Sequence, residues 1–291
     1  MSWRPAHLTY TTPDGLRLAA DAWGDAHHRA VLLMHGGGQT RHAWGGTARA
    51  LAAEGWYAVA ADLRGHGDSD WAPDGDYAME SFARDIAAMA RTFATPPVLV
   101  GASLSGIAGL LAQGEASLDG DAVNGTLFAA LVLVDVTPRL NAAGAQHIVD
   151  FMSARLEQGF ASLEEAADTI AAYVPHRTRP KDLRGLAKNL RLHPDGRYRW
   201  HWDPRFVTGK RPPDVAEEPE HLFACARRLR IPTLLVRGRM SDLVTPAAAQ
   251  EFLAMVPGAQ FADVSEAGHM VAGDRNDVFT AAVADFLRRS L

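Results

Sequence analysis

The sequence predicts an α/β fold: one domain with a mostly parallel central sheet, flanked by helices and carrying a helical insertion. Short continuous apolar runs, typical of strands buried on both faces, alternate with helical patterns along most of the 291 residues. Strands that alternate with helices pair in parallel through right-handed crossovers. The alternation stops near Pro138, where helical patterns continue without a strong strand, and resumes after Pro213. These breaks divide the chain into a first core part (1–137), an insertion (138–213) and a second core part (214–291).

The individual elements follow from local patterns. Residues 7–12 and 16–23 alternate in polarity on either side of a Pro13-Asp14-Gly15 turn, which predicts a β-hairpin. Continuous apolar runs predict the buried strands at 30–34, 56–61, 97–100, 127–135, 231–238 and 260–264. Alanine-rich or amphipathic stretches predict helices at 43–54, 79–93, 145–158, 163–173, 246–255 and 276–289.

Composition and charge exclude several classes of protein. The chain is 47% hydrophobic and 22% charged, as is ordinary for a globular enzyme. Its net charge of −5 argues against a protein that coats nucleic acid. The lone Cys225 excludes an internal disulfide framework and favours a reducing compartment. Because residues 1–5 lack a signal-peptide core and no apolar run is long enough to span a bilayer, we expect a cytoplasmic protein without membrane or nucleic-acid partners. Whether the protein forms a homodimer is left open by the sequence.

Ser103 is the candidate nucleophile. It stands between the apolar strand 97–100 and a helix that begins near Ile107. A very tight strand-to-helix turn would lift its hydroxyl clear of the sheet, and such a turn needs small residues two positions before and after the serine. Gly101 and Ser105 meet this need for Ser103. If Ser105 were the nucleophile, Ile107 would occupy a position that requires a small residue.

A serine hydroxyl needs a base, and the base needs an orienting acid. His269 is the candidate base, because it follows the last predicted strand in a glycine-loosened loop. Loops after parallel strands meet at one edge of the sheet, which puts His269 on the same edge as Ser103. Asp242, after the strand 231–238, is favoured as the acid, and Asp135, at the end of the preceding strand, is the alternative.

Backbone N–H groups must stabilise the oxyanion that forms when a carbonyl is attacked. Leu104, directly after the candidate nucleophile, offers one donor. The glycine run after His35 offers the second, with Gly37 favoured and Gly38 as the alternative. Glycine matters there because the backbone must approach a substrate without an intervening side chain. We expect loop-shaping roles for His35 and His66.

These motifs together resemble the α/β-hydrolase superfamily. The stretches that carry the resemblance are His35–Gly38, Asp62–Ser69, Gly101–Gly106, Arg237–Asp242 and Gly268–His269. The chain departs from the usual Gly-x-Ser-x-Gly pattern by having Ser105 at its last position. The chain order Ser103, Asp242, His269 is that of the superfamily. The insertion resembles the helical cap of a subgroup that contains carboxylesterases, cofactor-free haloperoxidases and carbon–carbon bond hydrolases.

The resemblance implies a serine hydrolase that uses no metal or cofactor. Residues 62–69 also resemble epoxide hydrolases and haloalkane dehalogenases, which attack an sp³ carbon with an aspartate. A serine would form an ether there, so Ser103 indicates acyl chemistry on a small carboxylic ester, lactone or thioester. The alternatives are a carbon–carbon bond hydrolase or perhydrolase with the same triad, or a small-molecule receptor of the same fold.

The insertion supplies the candidate substrate-pocket residues. Gly38, Trp200 and Trp202 are predicted to line the pocket, within an aromatic cluster that includes Tyr198 and Phe206 and could equally pack the cap onto the body. Basic side chains are also concentrated in the insertion: Arg177, Arg179, Lys181, Arg184, Lys188, Arg191, Arg197 and Arg199. They form either a solvated surface or a surface that attracts anionic substrates or an acidic carrier.

Overall fold

An eight-stranded sheet with a hydrophobic core on each face forms the body of the protein. The computed structural model describes residues 4–119, 126–175, 179, 181–210, 219–271 and 276–291. The strands are β1 (Ala6–Thr11), β2 (Arg17–Trp23), β3 (Ala30–Met34), β4 (Tyr57–Ala61), β5 (Val98–Ala102), β6 (Ala130–Val134), β9 (Thr233–Gly238) and β10 (Gln260–Val264). Their order is β1-β2-β4-β3-β5-β6-β9-β10. Strand β2 pairs antiparallel with β1 and with β4, and all other pairs are parallel, which confirms the predicted fold class.

Alternation of side chains along the strands divides the apolar residues between the two faces. In β3, Val31 and Leu33 belong to one core, whereas Leu32 and Met34 belong to the other. The principal helices are α1 (Gly45–Ala53), α2 (Met79–Ala90), α3 (Leu104–Asp119), α7 (Pro219–Arg228), α8 (Pro246–Met255) and α9 (Asn276–Ser290). None of the helices in the described ranges is both long and apolar enough to cross a membrane.

The sheet order reverses direction between β3 and β5. From β3 the chain moves to β4 on one side, and then crosses back to place β5 on the other side. The loops at the carboxyl ends of β3 and β5 therefore separate and leave a crevice, which is where open α/β sheets bind ligands. His35 follows β3 and Ser103 follows β5, so both motifs lie at this crevice.

The segment after β6 leaves the sheet. Its described residues form helices α4 (Ala142–Ser153), α5 (Leu163–Tyr173) and α6 (Arg205–Thr208), and none of them joins the main sheet. They also form a hairpin of β7 (Leu190–Leu192) and β8 (Tyr198–Trp200), which the sequence analysis did not predict. Strands of three residues are too short to produce a recognisable alternation. The predicted boundary at residue 213 lies outside the described residues, and the 138–213 insertion stays a prediction.

Candidate active site

Ser103 lies on a sharp turn between strand β5 and helix α3. Its φ of +49° falls in the left-handed region, which is strained for residues other than glycine. The Ser103 N–H donates to the carbonyl of Val134 at 3.0 Å, which fastens the turn to β6. A Cβ at Gly101 would lie 2.7 Å from the Ser105 carbonyl oxygen and 2.8 Å from Gly106, so strand and helix approach too closely there for a side chain. The turn has the geometry that a nucleophile elbow requires.

Ser105 supports this turn from behind. Its hydroxyl is buried and lies 2.8 Å from the carbonyl oxygen of Met34 and 2.7 Å from that of His35. Because one proton is shared between these acceptors, the hydroxyl joins the elbow to the end of β3. Ser103 contacts a histidine, His269, whereas the hydroxyl of Ser105 lies against backbone carbonyl oxygens.

Ser103, His269 and Asp135 form a continuous line of hydrogen bonds. His269 Nε2 lies 3.1 Å from Ser103 Oγ, and His269 Nδ1 lies 2.7 Å from Asp135 Oδ2. The histidine side chain is 16% exposed, whereas the Asp135 carboxylate is fully buried. An ionised carboxylate only accepts hydrogen bonds, so Nδ1 carries the proton of the neutral ring. Nε2 is therefore the basic nitrogen, and it faces the serine hydroxyl.

The Asp135 carboxylate is held in one orientation by donors other than the histidine. Its Oδ1 accepts the N–H of Gly238 at 3.0 Å, and its Oδ2 accepts the hydroxyl of Ser241 at 2.5 Å. The Ser241 oxygen already accepts the N–H groups of Leu243 and Val244 at 3.1 and 3.2 Å, so its own proton is available to the carboxylate. This role of Ser241 was not predicted, although the residue stands next to the expected acid Asp242.

The expectation that Asp242 orients the histidine is corrected by the structure. The Asp242 side chain is 58% exposed and lies 3.4 Å from His147 Nδ1 at the surface. Asp135, the alternative, contacts His269 instead. Both carboxylates follow a strand, so strand ends alone could not separate them. The pairing of β6 with β5 does, because it places Asp135 beside the strand that carries Ser103.

The glycine loop, residues 35–39, lies against the elbow. A Cβ at Gly36 would be 3.2 Å from the Cβ of Ser103, and one at Gly37 would be 3.9 Å from a methyl carbon of Leu104. Among the described residues, the backbone N–H groups of Gly37 and Leu104 have no protein acceptor. The N–H of Gly38 donates to His66 Nε2 at 3.1 Å and is therefore occupied. The contacts favour the expected pair of donors, Gly37 and Leu104, over Gly38.

Comparison with known proteins identifies the family. The sequence model of the Alpha/beta hydrolase family matches residues 31–282. The chain belongs to this family. Esterase Rv0045c of Mycobacterium tuberculosis is 31% identical to this hydrolase over 265 residues, covering 89% of this chain and 82% of the esterase. The solved structure of that esterase aligns with a TM-score of 0.75 at 27% identity, covering 98% of this chain and 92% of the other. The 3-hydroxybutyrate-oligomer hydrolase of Cupriavidus necator is 26% identical over 270 residues, covering 89% of each chain.

Two buried histidines hold the glycine loop of this alpha/beta hydrolase. His35 accepts the Leu63 N–H through Nε2 at 3.1 Å, so its Nδ1 carries the proton and donates to the Gly36 carbonyl at 2.7 Å. His66 accepts the Gly38 N–H through Nε2, and its Nδ1 donates to the Arg64 carbonyl at 2.9 Å. Burial lowers the pKa of His35 to about 4 and that of His66 to about 3, so both rings are neutral near pH 7.

The orientation of the free N–H group follows from the first of these bonds. The Gly36 carbonyl and the Gly37 N–H belong to one trans peptide group and point in opposite directions. Because His35 holds the carbonyl, the Gly37 N–H is directed away from His35. The loop-shaping role expected for both histidines is what their contacts provide.

Three side chains of the hydrolase cover the glycine loop. A Cβ at Gly37 would lie 3.2 Å from the ring of Phe206. A Cβ at Gly38, whose φ is +73°, would lie 3.0 Å from the terminal methyl of Met152 and 3.3 Å from the ring of Trp202. Two of the predicted pocket residues, Gly38 and Trp202, are therefore neighbours. Met152 was not predicted to lie there, because a single methionine in a helix carries no signal for a pocket.

Trp200, the third predicted pocket residue, packs one layer further out. Its ring stacks on Trp202 with centroids 4.8 Å apart and an interplanar angle of 10°. Its other ring contacts are Phe160 at 5.0 Å and Phe151 at 5.7 Å. Both tryptophans are buried, with 6% and 2% exposure. Trp200 therefore packs against other aromatic rings of the segment after β6, whereas Trp202 borders the glycine loop.

The basic side chains between residues 177 and 199 are largely paired. Carboxylates lie within 3 Å of four of the arginines: Arg179 with Asp168, Arg184 with Asp182, Arg191 with Asp68 and Arg199 with Asp195. Arg197 donates to the backbone carbonyls of Gln158 and Gly159. Arg177 lies outside the described residues. This pairing reduces the positive electrostatic potential that these basic side chains could exert on an anionic substrate.

In the described ranges, no three histidine, cysteine, aspartate or glutamate side chains are arranged so that they could hold a metal ion. The polar groups near Ser103 are instead the imidazole of His269, the carboxylate of Asp135 and free backbone N–H groups. These are the three parts that nucleophilic attack on a carbonyl requires.

Proposed function

We propose that this protein hydrolyses small carboxylic esters through an acyl intermediate on Ser103. The observation that carries the proposal is the relay from Ser103 Oγ through His269 to the buried Asp135, at 3.1 and 2.7 Å. The free N–H groups of Gly37 and Leu104 lie at the same end of the sheet. A nucleophile, an oriented base and paired oxyanion donors are the combination that acyl transfer uses.

In the acylation step, His269 Nε2 takes the proton of Ser103 while the serine oxygen attacks the ester carbonyl carbon. The carbonyl oxygen becomes an oxyanion, which the Gly37 and Leu104 N–H groups stabilise. The imidazolium of His269 is stabilised by the carboxylate of Asp135. His269 then returns the proton to the leaving alcohol oxygen as the carbon–oxygen bond breaks. The acyl group remains on Ser103.

Deacylation repeats these roles with water. His269 Nε2 removes a proton from a water molecule, whose oxygen attacks the acyl carbonyl carbon. A second oxyanion forms against the same two N–H groups. The proton passes from His269 to Ser103 Oγ as the acid product leaves. The cycle consumes one ester and one water and releases an alcohol and a carboxylic acid.

Two further observations support an ester as the substrate. A serine nucleophile attacks an acyl carbon productively, whereas on an sp³ carbon it would leave an ether that water does not readily cleave. The relative with 31% identity is named an esterase. The cover of Phe206, Met152 and Trp202 over the glycine loop favours an apolar substrate portion beside the carbonyl.

The cytoplasmic location and homodimer formation stay predictions from the sequence.

The test is a matched panel of p-nitrophenyl esters, a lactone, a thioester and a 1,3-diketone at equal concentrations. We expect turnover of the acyl substrates and a loss of roughly four to six orders of magnitude in kcat in Ser103→Ala. Turnover of the diketone without turnover of any ester would instead support carbon–carbon cleavage. Tight binding without turnover of any of them would support a receptor.

A further inference from the structure

The segment after the β7–β8 hairpin joins the loop after β4 to the glycine loop, which carries the candidate oxyanion donor Gly37. His201 is 1% exposed and lies between these loops. Its Nδ1 accepts the N–H of Gly67, in the loop after β4, at 2.7 Å. Its Nε2 therefore carries the proton of the neutral ring, and it lies 3.4 Å from the Gly38 carbonyl oxygen. The ring thus bridges the loop after β4 and the glycine loop.

Other bonds hold the same segment in place. The Asp203 N–H donates to the Gly65 carbonyl at 2.9 Å, and the Asp203 carboxylate accepts the Tyr77 hydroxyl at 2.6 Å. Arg191, in strand β7 of the hairpin before this segment, donates to the Gly67 carbonyl at 2.9 Å. These contacts fix the position of the segment and of its hairpin on the body, whereas the His201 contact with Gly38 links the segment to the glycine loop, which carries the candidate donor Gly37.

Each of three consecutive peptide groups in the glycine loop contacts one histidine. His35 donates to the Gly36 carbonyl, His66 accepts the Gly38 N–H, and the His201 Nε2–H points to the Gly38 carbonyl. The three rings form a column, with centroids 5.3 Å apart between His35 and His66 and 5.8 Å apart between His66 and His201. Only the third ring comes from outside the body of the fold.

We propose that His201 is a positioning residue for the reaction: it holds the Gly38 peptide, next to the candidate donor Gly37, and thereby makes that donor depend on closure of the segment that carries His201. The inference rests on the proposed function, because it assigns a role within the same site. It predicts that His201 affects the transition state more than the binding of substrate, since an oxyanion exists only after attack.

The protonation state of His201 agrees with this role. Burial, together with the neighbouring His66, His35 and Arg191, lowers the pKa of His201 well below its ordinary value, while the bond to the Gly38 carbonyl raises it. The ring is therefore neutral near pH 7. A protonated ring would turn an Nδ1–H donor towards the Gly67 N–H donor and break that contact.

The experiment separates the two ring nitrogens by substitution. Glutamine reaches the position of Nε2 and can donate to Gly38, whereas asparagine reaches only that of Nδ1. His201→Phe keeps the ring volume without either contact. Tyr77→Phe is the matched control, because it loosens the same segment through Asp203 without touching the glycine loop. Each variant is titrated with a fluorophosphonate, and kcat per labelled site, KM and inhibition by a trifluoromethyl ketone are measured.

We expect kcat per labelled site to fall by roughly 10- to 100-fold in His201→Phe and His201→Asn, with KM within about threefold of the parent. His201→Gln should stay within about threefold of the parent, and ketone inhibition should weaken in parallel with kcat/KM. If His201→Phe does not fold, the comparison of kcat between His201→Asn and His201→Gln tests the role of Nε2 by itself.

The inference is overturned if asparagine and glutamine lower kcat equally, or if Tyr77→Phe lowers it as much as His201→Asn. It is also overturned if kcat per labelled site stays near the parent value while only thermal stability falls. Failure of the proposed function would be seen separately, as a parent protein that neither labels at Ser103 nor turns over esters.

Discussion

The imidazole of His269 donates from Nδ1 to the buried carboxylate of Asp135 at 2.7 Å, across a separation of 134 positions in the sequence. This bond decides the tautomer of the histidine and leaves Nε2 as the base opposite Ser103. It also shows which of the two candidate acids contacts His269: Asp135 does, whereas Asp242 lies exposed beside His147.

Asp135→Asn should therefore lower kcat by about 10⁴-fold, because an amide can donate to the imidazole and stabilise the wrong tautomer. Asp242→Asn is the matched control, and its kcat should stay close to that of the parent. Steady-state kinetics on one p-nitrophenyl ester measures both. A steep loss in Asp242→Asn with little loss in Asp135→Asn would move the acid to the exposed loop.

Ser241→Ala should lower kcat about tenfold, because the Asp135 carboxylate loses a charge-assisted hydrogen bond worth about 1.5 kcal/mol. The Ser241 oxygen lies 2.5 Å from Asp135 Oδ2. Ser162→Ala is the control, since that serine only caps helix α5 through the Glu165 N–H. Equal kcat values for the two variants would show that the remaining donors suffice to orient Asp135.

Gly37→Val should lower kcat by about 10²- to 10³-fold, the scale of one lost oxyanion donor. The new side chain would meet Phe206 at 3.2 Å and turn the peptide or block the carbonyl of the substrate. Gly185→Val is a suitable control, because no side chain or backbone of the described residues beyond its chain neighbours lies within 4 Å of its Cβ position. An unchanged kcat in Gly37→Val would place the second donor elsewhere in the loop.

Stability should decrease as the pH falls below about 6.5, because His35 and His66 are buried as neutral rings with pKa values of about 4 and about 3. Their unfolded pKa is about 6.5, so between these values the unfolded chain binds protons that the native state does not. Each histidine contributes a slope of up to about 1.4 kcal/mol per pH unit, with its full stabilisation present above pH 6.5.

Urea unfolding between pH 4.5 and 7.5 measures this slope in the parent and in His66→Gln. The glutamine keeps an acceptor for the Gly38 N–H but does not titrate. We expect the variant to lose stability less steeply than the parent in this range. Parallel slopes would show that His66 does not carry the linkage.

Much of the fold could be predicted because its signals are local. The apolar run 30–34 and the helical pattern 163–173 have the same bounds in the structure as in the sequence analysis. The elbow could be predicted because strand and helix approach closely at Gly101, so that a small residue is required two positions before the serine. The β7–β8 hairpin could not, because its strands have only three residues each.

The rest of the site depends on contacts between distant parts of the chain. Asp135 and Asp242 both follow strands, and only the pairing of β5 with β6 separates them. The contact of His201 with Gly38 spans 163 positions and joins the segment after the β7–β8 hairpin to the glycine loop. No periodicity or spacing in the sequence encodes such a contact.

The acyl intermediate on Ser103 is the central claim, and intact-mass and peptide mapping of protein quenched during p-nitrophenyl ester turnover tests it most directly. We expect one acyl group on the peptide that contains Ser103, in the parent and in Ser105→Ala, and none in Ser103→Ala. Ser105→Ala should be less stable by about 1 kcal/mol, since its buried hydroxyl bonds the end of β3. An acyl group that persists in Ser103→Ala, or that maps to another residue in the parent, would contradict the account.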